Sequence, residues 1–75
     1  MITHTLELDR LTDLCDYSQA QFGEDAKLWP WYYTTEGLDI YEMRTDDVIT
    51  VYWKDEQAAM LFMLKRGAEW KVVVA

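Results

Sequence analysis

The chain has 75 residues, of which 51% are apolar and 15% aromatic, with fourteen Asp and Glu against seven Lys and Arg for a net charge of −7. This length supports one domain, residues 1–75, which buries about 60% of its unfolded surface, and the apolar content excludes a disordered tail. The acidic balance speaks against direct nucleic-acid binding, which draws its affinity from Lys and Arg.

In chain order, ITHTLEL (2–8) alternates, placing Ile2, His4, Leu6 and Leu8 on one side of an opening strand. Asp9 is the expected N-cap of a helix over 10–22. Its stripe is Leu11, Leu14, Cys15, Ser18 and Phe22, and Gly23 closes it. LWPWYY (28–33) surrounds the only proline. As an extended strand over 31–34 it points Trp29, Trp31 and Tyr33 one way and Leu28, Tyr32 and Thr34 the other. A single sheet layer buries one of these sets and offers the other to solvent or a partner. Glu36-Gly37 reads as a turn. Leu38 to Arg44 and Val48 to Lys54 read as strands joined through Thr45, Asp46 and Asp47. Asp55 caps a second helix, 56–66, ended by Gly67. Trp70 to Val74 reads as a central strand, because three consecutive valines leave neither face polar.

The expected fold class is therefore α+β. It is a mainly antiparallel sheet of four to five strands with two helices on one face, in an order that resembles the split βαβ arrangement of ferredoxin-like domains.

Candidate chemistry is sparse. His4 is the only histidine and Cys15 the only cysteine. No disulfide within the chain is possible, and the single thiol suits a reducing cytoplasm. His4 falls on the apolar side of a strand and Cys15 on the buried stripe of a helix, where each reads as packing rather than catalysis. No glycine-rich phosphate loop or nucleophile motif is present. No catalytic residue and no cofactor is expected. Asp9, Asp13 and Asp16 share a helical face that could hold a hard cation. They lack the loop and ligand number calcium wants, and they also read as a solvated face offsetting the helix dipole, so no metal site is expected. MITHTLELDR shows no signal-peptide pattern, and AAMLFML (58–64) is far too short to cross a bilayer, so a cytoplasmic location without membrane contact is expected.

An interaction surface is the reading that remains. In the second helix Ala58, Leu61, Phe62 and Leu64 are enough to cover a sheet, which leaves Met60 and Met63 on faces where charge is expected. Either a partner or second copy covers them, or the segment 23–30 folds over the helix. The residues expected to meet a protein partner are Trp29, Trp31, Tyr32, Tyr33, Met60 and Met63. Residues 1–50 carry eleven acids against three bases and residues 51–75 three against four, so a basic protein would be steered to the first part. The same acids also admit a second reading, a DNA mimic that occupies a nucleic-acid-binding protein. For that, Asp9, Asp13, Asp16, Glu24, Asp25, Asp46 and Asp47 would have to form one stripe.

VYWKDEQAAMLFMLKRG (51–67) joins an aromatic-ended strand, Lys-Asp-Glu, an Ala-rich helix with Leu-Phe-x-Leu, and Arg-Gly. It resembles the C-terminal part of small uncharacterised acidic proteins of tailed bacteriophages. The resemblance covers 17 of 75 residues and implies a viral origin, action in the host cytoplasm and binding of a host protein, with no active site; self-association is the expectation that the Met-bearing helix adds.

Overall fold

A computed structural model describes residues 2–34 and 48–74. The expected strand over 38–44 and the turns at Glu36-Gly37 and Thr45 to Asp47 lie outside the described residues. Four strands form the sheet: β1 (Ile2–Glu7), β2 (Trp31–Thr34), β3 (Val48–Trp53) and β4 (Val73–Val74), with helix α1 (Leu11–Phe22) after β1 and α2 (Glu56–Phe62) after β3. Their order across the sheet is β2-β3-β1-β4, and every neighbouring pair is antiparallel. Each helix thus joins two strands separated by a third.

The register explains which alternation is buried. Ile2 stands opposite Trp53, His4 opposite Val51 and Leu6 opposite Ile49, while Trp31 stands opposite Trp53 on its other flank. Partners across a ladder share a face, so these side chains line one side of the sheet. His4, Leu6, Trp31, Ile49, Val51 and Trp53 are all buried. Phe62 of α2 packs on this side, with its ring 5.9 Å from His4 and 5.3 Å from Trp53. Ser18 of α1 meets the same side, accepting the Trp31 indole N–H at 2.6 Å. Tyr17 closes the gap between helices, 5.5 Å from Phe62.

The first helix starts differently from its expected form. Leu8 leaves the strand in a 3-10 turn, Leu8–Arg10, and Asp9 lies within that turn. Arg10 occupies the N-cap position with no side-chain cap, because the chain enters α1 already turned. Gly23 does terminate the helix, at φ 98°, donating its N–H to Gln19 O at 3.1 Å. In the stripe, Tyr17 joins Leu14 and Ser18 as a fully packed member, while Leu11, Cys15 and Phe22 are partly buried against the core.

Among the described strands the last one ends the sheet rather than occupying its centre. After α2 the chain makes a turn in which Trp70 N–H bonds Arg66 O and Val72 N–H bonds Gly67 O, and Lys71 takes φ 54°. Val72 turns inward and only Val73 and Val74 remain to pair with β1. Three valines in a row signal burial on both faces, but Val73 and Val74 are exposed in the strand that ends the described sheet. No helix among the described residues is long and apolar enough to cross a membrane.

Candidate interaction surface

The surface is built on α2. Asp55 caps it as expected, its carboxylate accepting from the N–H groups of Gln57 and Ala58 at 2.9 and 3.4 Å. Its buried face is Ala59 and Phe62, with Ala58 and Met63 partly buried, and not the expected set of Ala58, Leu61, Phe62 and Leu64. Leu61 is exposed, and Leu64 is 84% exposed. The helical run ends at Gly67 as expected, but with Ala68 at its C-cap rather than a left-handed glycine. It widens into a π-helix over Met63–Gly67, which resets the angular position of every later side chain. Gly67 is buried for a packing reason: a Cβ there would stand 3.1 Å from Met63 Cε and 3.2 Å from Sδ.

Between α2 and the β4 edge lies an apolar groove of about 520 Å³, lined by Ile2, His4, Ala59, Met60, Met63, Leu64 and Val74. None of these side chains carries a formal charge at neutral pH. Met60 is 66% exposed, so the segment 23–30 does not cover it. That segment is held elsewhere, with Trp29 donating its indole N–H to Gly23 O at 2.8 Å and stacking on Trp31 at 5.7 Å.

His4 reaches the groove from β1. Its ring is buried, set edgewise to Trp53 at 6.1 Å, and its Nδ1 has no hydrogen-bond partner. Burial lowers its pKa, so the imidazole is neutral in the fold. Burial and then Asp16 raise the Cys15 pKa, which favours the inert thiol over a thiolate.

The six residues expected at an interface do not come together. Met60 and Met63 share the groove. Trp31 is only 7% exposed, a core residue paired with Ser18. Trp29 and Tyr33 flank it, Tyr33 within β2 and Trp29 just before it, Trp29 half-buried and Tyr33 exposed. Tyr32 points to the other sheet face, where it stacks on Tyr52 at 5.1 Å with Lys54 Nζ 5.6 Å from its ring centre. Ile2, His4, Leu64 and Val74 belong to the groove but were not among the expected contacts. Neither Leu64 nor Val74 is signalled by the sequence pattern, which puts Leu64 on the sheet-covering face and Val74 in a central strand.

A second cleft, about 550 Å³, opens between α1 and the segment after α2. Its lining mixes both signs: Arg10 pairs with Asp13 at 3.0 Å and Arg66 with Glu69 at 3.9 Å, and Lys65 and Asp16 also line it. Arg66 lies 5.8 Å from the rings of both Tyr17 and Trp70, and Arg10 covers the Trp70 ring at 5.7 Å. Bases therefore interleave with the α1 acids that a phosphate-like stripe would need; Asp46 and Asp47 lie outside the described residues. The Tyr17 hydroxyl is buried without a partner, and burial raises its pKa against a smaller lowering by Arg66.

Comparison of the chain with protein-family models, curated proteins and solved structures finds no match.

Proposed function

We propose that this chain is a non-catalytic acidic protein that works by protein–protein contact, with the α2–β4 groove as its contact surface. The observation that carries this reading is the pair Met60 and Leu64, large apolar side chains standing in solvent around an uncharged groove. Leaving them exposed keeps apolar area in water that a partner would remove, and methionine adapts to irregular partner surfaces. The acids of residues 1–50 steer a basic protein on approach. The resemblance of residues 51–67 to tailed-phage proteins makes a host protein, met in the host cytoplasm, the natural heterologous partner.

The fold we infer for it is ferredoxin-like, with both helices on one sheet face. Support comes from the order β4-β1-β3-β2, in which each helical crossover skips one strand, and from Phe62 and Ser18 both meeting the face that bears His4 and Trp31.

The test is affinity capture from bacterial lysate with the natural chain beside Met60→Lys/Leu64→Lys. A protein retained by the first and lost by the second is expected. Capture that is indifferent to the two substitutions, from a chain that is also monomeric, overturns the reading.

A further inference from the structure

Three properties of the groove say what fills it. The first is the strand beside it. Among the described residues β4 ends the sheet, paired to β1 on one side only, with Val73 and Val74 59% and 63% exposed. An apolar, uncharged strand edge is the element that accepts a further strand.

The second is shape. Met60 and Leu64 lie four residues apart on one helical face and project from it. Ala59, with only a methyl group, lies beside them in the groove lining. A patch holding both projection and recess satisfies an isologous contact, in which each copy must present both.

The third is charge. Residues 51–75 carry a net +1 and residues 1–50 a net −8. The side chains lining the groove carry no formal charge at neutral pH, so two copies of this net −7 chain that meet there bring no like charges together.

We infer that a second copy of this chain occupies the groove, with β4 pairing antiparallel to β4 across a two-fold axis and Met60 and Leu64 of each copy entering the groove of the other. This rests on the reading of the groove as a protein-contact surface, and deepens it by naming the occupant. The sheet becomes continuous through both copies, and the two α2 helices lie side by side over the junction.

Light scattering across a concentration series should show a particle of twice the 8.9 kDa chain mass that dissociates on dilution. Met60→Lys/Leu64→Lys places unpaired ammonium groups in the contact and should weaken association on the order of a hundredfold or more. Both positions are exposed, so circular dichroism should stay native. Should that variant unfold, Val74→Lys, at an exposed edge position, makes the same test. To locate the edge, Val74→Cys in a Cys15→Ser background should form an interchain disulfide in oxidised glutathione. Leu28→Cys in that background, exposed beside the opposite sheet edge, should not. A monomer at every concentration, a dimer indifferent to the lysines, or equal cross-linking at both cysteines overturns the inference. A monomer whose capture of another protein is still lost with Met60→Lys/Leu64→Lys removes the second copy and leaves the contact-surface reading standing.

Discussion

Replacing His4 with leucine should abolish an acid sensitivity located at the centre of the fold. The imidazole is 1% exposed, its Nδ1 has no partner, and aromatic rings flank it on two sides. Burial alone is what holds its pKa below the ordinary 6.5. The unfolded chain keeps the ordinary value, so below pH 6.5 the unfolded state takes up a proton that the folded state refuses. The stabilisation is therefore complete above 6.5 and is lost as pH falls from there toward the folded-state pKa. Its steepest slope is one proton, about 1.4 kcal/mol per pH unit. A domain of this size has roughly 4–11 kcal/mol in total, so a unit or more of acidification removes a measurable share. Urea titrations followed by tryptophan fluorescence, from about pH 7.5 to about pH 5, measure this directly. No second histidine complicates the window. The natural chain should lose stability across it, and His4→Leu should be nearly flat. A natural chain that is flat below 6.5, or a leucine variant with an unchanged slope, refutes the reasoning.

Two further substitutions read the packing. Ser18→Ala strands the buried Trp31 indole N–H, which now has its acceptor at 2.6 Å, and should cost about 1–3 kcal/mol. Adding Trp31→Phe should recover part of the hydrogen-bond loss, measured as coupling in a double-mutant cycle. Gly23→Ala should cost about 1–2 kcal/mol, because φ 98° is strained for a residue with a Cβ. Gly67→Ala should stay within about 1 kcal/mol of neutral, since its backbone is ordinary and the crowding atoms are the free end of Met63. Thermal unfolding ranks the two glycines, and a larger loss at Gly67 would mean that Met63 is clamped in place.

What local rules encode was legible, and what packing decides was not. The alternation of Ile2, His4 and Leu6, the turn at Gly23 and the cap at Asp55 depend on a few neighbouring residues, and each is found. The side-chain positions after Phe62 depart from uniform helical spacing, because Met63–Gly67 is a π-helix in which Gly67 lies against the Met63 side chain. Helical spacing assumes a uniform turn and cannot anticipate that. Val73 and Val74 misled for a related reason: apolar identity says that a residue would gain from burial, while strand order decides whether a neighbour is there to provide it. In the aromatic stretch 28–33 neither alternating set is buried whole: Trp31 is core, its indole bonded to Ser18, while Tyr33 on the same side and Tyr32 on the other are exposed. The groove combines residues from β1, α2 and β4, so no single stretch of sequence displays it.

The position of β1 also sets the timing of folding. Its two neighbours in the sheet are β3 and β4, both made late, and Thr5 and its partner Val73 stand 68 positions apart. On a translating ribosome β1 is made before the other described strands, and neither β3 nor β4 is there to pair with it while α1 and β2 follow. The sheet can close only when the last described strand has cleared the exit tunnel. Long loops must be ordered before any of their contacts is gained, which makes folding slow for so small a domain. During that interval the apolar side of β1, with Ile2, His4 and Leu6, is open to chaperones and to other nascent chains.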